Sequence, residues 1–214
     1  MIDLHTHTTF SDGELIPAEL VRRLEVLEYE AVCLTDHADS SSIDFIIPRI
    51  IKVAEDLNQC QRVKVIPGIE LTHIPPGMIP ALVKKARELG AKLVVVHGET
   101  IAEPVANGTN RAAIEAGVNI LAHPGLITHE DAALAAEKGV YLEISGRKGH
   151  CFTNGHVVRI AQDVGAKLVL NSDAHSPNDL LSEPFARKIA QGSGLAHDAI
   201  YQLLENSRYL INNI

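Results

Sequence analysis

The sequence predicts an α/β fold, a distorted (β/α)7 barrel with a metal site at the C-terminal ends of its strands. Three observations lead there. Short β-branched or apolar runs alternate with amphipathic stretches about seven times along 214 residues, four of those stretches stop at a glycine, and polar side chains cluster just after the apolar runs. Regular strand–helix alternation implies a parallel sheet with helices outside it, and barrel enzymes place their sites at the carboxyl ends of the strands. The first strand is followed by His5-Thr6-His7 and no glycine-rich loop, so a dinucleotide-binding sheet is disfavoured.

In chain order, strands are expected at 2–5, 31–35, 63–70, 92–96, 118–122, 140–144 and 167–170. Helices are expected at 17–28, 43–58, 76–89, 109–116, 130–137, 154–164 and 178–191, with a last helix near 197–204. In the first helix Leu20, Val21, Leu24 and Leu27 recur at helical spacing while Glu19, Arg22, Arg23 and Glu25 fall elsewhere on the wheel. Pro17 suits its first turn. Gly90, Gly117, Gly139 and Gly165 each supply a left-handed stop that feeds the next strand.

Composition removes several classes. The formal charge is −8, with 46% hydrophobic and 21% charged residues, which excludes disorder and argues against a duplex nucleic-acid partner. No apolar run approaches the ~20 residues of a membrane span, and the start Met-Ile-Asp-Leu-His lacks the basic and apolar regions of a leader. Cys33, Cys60 and Cys151 show no CxxC spacing and read as reduced thiols. The expectation is one cytoplasmic domain over 1–214. The unusual count is eleven His beside four Phe, four Tyr and no Trp.

The strand ends account for the histidines. They read His5-Thr6-His7 with Asp12 in the loop, then Asp36-His37, Glu70 through His73, His97-Gly98, His123-Pro124 and Asp173-Ala174-His175. Side chains two apart on a strand share a face, so His5 pairs with His7 and Asp173 with His175. His5, His7, His37, His97, His123, His175, Asp12, Glu70 and Asp173 thus converge on one mouth. Imidazole and carboxylate without thiolate suit Zn, Mn or Fe, and nine ligands exceed one ion, so two to three divalent ions are expected. His129, His156 and His197 fall on helices and read as ordinary structural or surface residues; His73 and His150 stand near the mouth.

These motifs, in this order from Asp3 to His175, resemble the PHP (polymerase and histidinol phosphatase) superfamily. The resemblance implies a trinuclear site: one ion on His5, His7, Glu70 and Asp173, a second on His97 and His123 with Glu70 shared, a third on Asp12, His37 and His175. It also implies phosphoester hydrolysis, in which a water bridging two ions is deprotonated near neutral pH and stands in line with phosphorus. Glu70, Asp173 and His175 are the ligands singled out as catalytic. Arg147 and Lys148, after the one strand lacking a ligand, would bind the phosphate. His73 and His150 would contact substrate or protonate its leaving oxygen, and Arg111 is a weaker phosphate contact. Asn171, Ser172 and Asp36 would support the ligands.

The expected substrate is a small phosphorylated metabolite of the histidinol phosphate type, with no membrane partner. The alternative is an exonuclease or nucleotide phosphatase. An amidohydrolase is disfavoured because the fourth strand ends in His97 and not in a bridging Lys, and a non-catalytic metal-bound regulatory module because none of the nine positions is lost. Residues 99–108 and 147–153 are the only loops long enough to act as lids.

Overall fold

The computed structural model describes every residue from Met1 to Ile214. The strands are β1 (Ile2–Thr6), β2 (Ala31–Leu34), β3 (His37–Ala38), β4 (Lys64–Leu71), β5 (Leu93–His97), β6 (Ile120–Ala122), β7 (Tyr141–Ser145) and β8 (Leu168–Asn171). Between and after them run α1 (Pro17–Val26), α2 (Ile43–Asn58), α3 (Ile79–Glu88), α4 (Thr109–Glu115), α5 (His129–Lys138), α6 (Asn154–Val164), α7 (Glu183–Gly192) and α8 (His197–Asn212). All strand pairings are parallel, in the order β1-β2-β4-β5-β6-β7-β8 with β3 on β4. The last strand turns back to the first: Thr6 bridges Ala174, the His7 amide donates to the Ala174 carbonyl at 2.9 Å, and the Asp173 amide donates to the His5 carbonyl at 3.0 Å. The result is the expected distorted barrel, seven strands in path plus a two-residue strand not foreseen.

Alternation divides the core in two. Val32, Leu34, Val94, Val96, Leu142 and Ile144 face the helical shell, while Cys33, Ile66, Leu93, Val95, Ile120, Tyr141 and Val169 fill the barrel interior. Two residues farther along the same strands His97, Glu143 and Asn171, and four farther Glu70, therefore also project inward, above this apolar floor. On β1 the register slips between Asp3 and Thr6. Leu4 can thus belong to the floor while its neighbour His5 joins the polar mouth.

The four predicted glycine stops all carry positive φ: 100° at Gly90, 68° at Gly117, 70° at Gly139 and 73° at Gly165. Two helix boundaries differ most from expectation, while the helix expected from 76 starts at Ile79 after a 3-10 turn at Pro76–Met78. Residues 176–179 form a separate 3-10 turn boxed by Ser176 and Asp179, and α7 begins only at Glu183, where Pro184 suits the first turn. At the other end α8 continues to Asn212, beyond the expected stop near 204, where polar Asn206 and Ser207 on its buried face interrupt the apolar period. Asn206 Nδ2 donates to the Leu168 carbonyl at 2.8 Å, and Leu210 and Ile211 join the interior cluster and close the floor. Leu210→Ala is accordingly expected to cost about 2–5 kcal/mol in urea unfolding; a change below about 0.5 kcal/mol, ordinary for a surface position, would refute this closure.

Candidate metal centre

The mouth is built around buried carboxylates. Glu143 of β7, fully buried, accepts from His5 Nδ1 at 3.0 Å, from Asn171 Nδ2 at 2.7 Å and from the His123 amide at 3.2 Å. With its Nδ1–H so directed, His5 turns Nε2 toward Glu70 Oε1 at 3.3 Å and Asp173 Oδ1 at 3.7 Å. His7 Nε2 stands 3.2 Å from Asp173 Oδ1, and His123 Nε2 3.7 Å from Asp173 Oδ2. Glu70, at zero exposure, also meets His37 Nδ1 at 2.5 Å and His97 Nδ1 at 3.4 Å. On the open side His37 and His175 approach Asp12 Oδ1 at 3.5 and 3.2 Å, and their Nε2 atoms stand 3.4 Å apart. All nine sequence-selected residues therefore meet in one mouth.

Their supports are equally specific. Asp36 accepts from the amides of Thr8 and Ser11 at 2.7 and 3.1 Å and from the Ser11 hydroxyl at 2.8 Å, folding the loop that carries Asp12. Asp179 accepts from the His175 amide at 3.1 Å. Asn171 accepts from the Leu4 amide at 2.9 Å besides holding Glu143. Asp173, His123 and His73 have φ of 55°, 26° and 54°, so three of the four non-glycine residues with positive φ lie in this mouth. Such strained backbone persists where surrounding structure over-determines it, and it concentrates at functional sites.

The donor set fits divalent ions. His5 Nε2, both ring nitrogens of His7, His97 and His123, and Glu70 Oε1 are buried without a hydrogen-bond partner. A buried polar atom left unpaired costs about 1–3 kcal/mol, and metal ions bound by one nitrogen of each ring would offset that cost. Donor atoms lie within 4.8 Å of one another in the sets His5–His7–Glu70, His5–His123–Asp173, His97–His123–His150 and His7–Asp12–His37–His175. His7 joins the expected Asp12–His37–His175 set, and His150 stands with His97 and His123.

Charge is distributed accordingly. Burial and the surrounding imidazoles hold His7 and His123 well below the usual histidine range, as neutral ligands. Burial opposes ionisation of Glu70, but His5 and His37 outweigh it and keep the carboxylate charged. Burial lifts Asp173 to about 7. For His97, burial is outweighed by Glu103 and Glu70, which raise it to about 9. Protons thus bind where divalent ions would displace them.

The mouth opens into a cavity of about 200 Å³ lined only by polar side chains, among them Thr72, His73, Glu103, Arg147 and His150. Arg147 Nη1 lies 2.6 Å from His175 Nδ1 and 3.3 Å from the Asp173 carbonyl. His150 is buried, with Nδ1 2.8 Å from Thr100 Oγ1. Lys148 is exposed and outside the lining, and Arg111 pairs with Asp131 at 2.7 Å on the surface. His129 and His156 bond to Asp163 and to the Ile127 carbonyl, away from the mouth, and His197 sits exposed on α8. A second hollow of about 340 Å³, between α6 and α8, is mostly apolar and holds none of this chemistry.

Sequence reasoning missed Glu143 and Glu103. Glu143 was visible as the one acid two residues beyond inward-facing Tyr141 on an otherwise uncharged strand. Glu103, in a loop without periodicity, left no comparable signal.

Fold and site together define a parallel barrel whose mouth is equipped for divalent metal. A family model described as PHP domain matches residues 3–97. An uncharacterized protein of Methanocaldococcus jannaschii is 49% identical over 204 residues, covering 94% of each chain. The DNA polymerase/3′-5′ exonuclease PolX of Bacillus subtilis is 22% identical over 194 residues, covering 81% of this chain and 34% of that protein. Among solved structures, histidinol phosphate phosphatase from Lactococcus lactis, complexed with zinc, L-histidinol and phosphate, superposes with TM-score 0.63 at 18% identity, covering 91% of this chain and 94% of that one. The chain carries a PHP domain.

Asp36→Ala should release the Thr8–Gly13 loop, so that the ion expected at Asp12, His37 and His175 is lost while the others stay. Elemental analysis of the folded variant checks this; unchanged metal content would remove Asp36 from the support of the site. Metal removal by chelation should lower Tm reversibly, and a Tm indifferent to chelator and metal would count against the site as a whole.

Proposed function

We propose that this protein hydrolyses a small phosphomonoester, of the histidinol phosphate kind or a related metabolite, in a trinuclear site of Zn, Mn or Fe. Its class, a metal-dependent phosphoric ester hydrolase, follows from the family and the donor set. In this reading His5, His7, Glu70 and Asp173 hold one ion, His97 and His123 with Glu70 a second, and Asp12, His37 and His175 a third. When bound, such ions supply Lewis-acid polarisation of phosphoryl oxygens and acidify coordinated water. The observation that carries the reading is the set of eight unpartnered donor atoms beneath a wholly polar cavity.

The chain's own residues supply binding and proton transfer. Arg147, beside His175 and Asp173, is placed to direct its guanidinium at a phosphate oxygen. His73, 43% exposed at the rim, can hand a proton to the leaving oxygen. His150, which burial and His97 lower to about 4, is a neutral hydrogen-bonding group oriented by Thr100. A cavity of about 200 Å³ without apolar lining suits a short, polar ester.

A second reading, an exonuclease or nucleotide phosphatase, is favoured by the match to PolX, of which this chain spans about a third. The net charge of −8 weighs against long nucleic-acid substrates. A panel of metabolite phosphates, mononucleotides and short oligonucleotides, with Mn, Zn and Fe, separates the two. The primary reading expects metal-dependent release of phosphate from small monoesters, with KM raised several-fold in Arg147→Ala. Turnover confined to oligonucleotides would favour the second reading, and unaltered kinetics in the variant would take Arg147 out of the binding site.

A further inference from the structure

We propose that Glu103 is a positioning residue for the ion held by His97 and His123, and that it ties the loop over residues 99–108 to occupancy of that position. The inference rests on the metal-dependent reading above and adds a residue that the PHP motifs do not contain. Glu103 reaches into the mouth from outside any helix or strand. Its Oε2 lies 3.2 Å from His97 Nε2 and 3.2 Å from His73 Nε2, and its Oε1 lies 3.5 Å from His150 Nε2.

The two ring nitrogens of His97 face different carboxylates. A neutral imidazole offers one lone pair and one N–H. Nδ1 faces inward, 3.4 Å from fully buried Glu70 Oε1, while Nε2 faces Glu103. Glu103, His73 and His97 could themselves surround an ion, but His97 would then have to turn its lone pair outward and abandon the Glu70 side. With the lone pair inward, Nε2 carries the proton and faces the Glu103 carboxylate, 3.2 Å away. A metal-ligating histidine commonly directs its second nitrogen at a carboxylate in this way, which fixes tautomer and ring orientation. Glu143 does the same for His5 from the opposite wall.

The loop is built to hold Glu103 there. Glu99 Oε1 accepts from the amides of Gly108 and Asn110 at 3.0 and 2.9 Å, clasping the loop at its base. Thr100 bonds His150. Gly125, at φ 63°, lets the backbone pass against the Glu99 carbonyl, where any Cβ would collide. One loop thus fixes His97 through Glu103 and His150 through Thr100.

The test measures metal affinity of apoprotein against a chromophoric chelator, using Zn or Mn alone, for wild type, E103A and E103Q. E103A should bind one ion about 10–100-fold more weakly, with the others unchanged. E103Q, whose amide oxygen still accepts from Nε2–H, should recover most of the loss. In zinc-loaded protein labelled with ¹⁵N-histidine, the His97 ring should carry its proton on Nε2. Wild-type affinity for every ion in E103A, or a His97 protonated on Nδ1, would overturn the proposal. Fewer than two ions on the wild type would overturn the underlying metal reading, and that failure is seen without any variant.

Discussion

A carboxylate with no access to water, Glu70, lies among imidazoles from three strands, with His5 at 3.3 Å, His37 at 2.5 Å and His97 at 3.4 Å. Burial alone would neutralise such a group. His5 and His37 keep it ionised, yet His5 Nε2 and both ring nitrogens of His7, His97 and His123 have no hydrogen-bond partner. Divalent ions would accept these free lone pairs and take over the positive charge that the protonated imidazoles supply to Glu70. That constraint makes the metal reading more than a count of histidines.

The barrel meets the constraint by separating two tasks along each strand. Lower inward positions, such as Val95, Tyr141 and Val169, form an apolar floor sealed by Leu210 and Ile211. Two residues on, His97, Glu143 and Asn171 begin the polar layer. The slip in β1 lets Leu4 and His5 serve both layers from adjacent positions. Above these, Asp36 and Asp179 hold the loops bearing Asp12 and His175 with hydrogen bonds, so the open side of the mouth is fixed almost as firmly as its base.

Much of this was legible in the sequence. Strand–helix alternation and the glycine stops gave the barrel, and the HxH, Glu70, His97, His123 and Asp173–His175 positions gave the mouth, because parity along a strand carries direction. What escaped lacked periodicity or masked it. The second half of α8 was hidden by Asn206 and Ser207, polar residues whose buried side fills the space below β8. Glu143 is a lone acid on a strand without imidazole, so its surroundings in the sequence do not mark it. Glu103 acts through the path of a loop that no local pattern specifies. Lys148, adjacent to Arg147 in sequence, turns to solvent while Arg147 turns to His175, a distinction that composition does not contain.

The central claim is that the nine converging side chains are ligands of a polynuclear centre. Anomalous diffraction at the Zn or Mn edge, from crystals grown with the metal, tests it most directly. The account predicts two or three peaks inside the mouth, one of them between His5, His7, Glu70 and Asp173. Well-diffracting crystals of metal-equilibrated protein with no peak among these residues would contradict it.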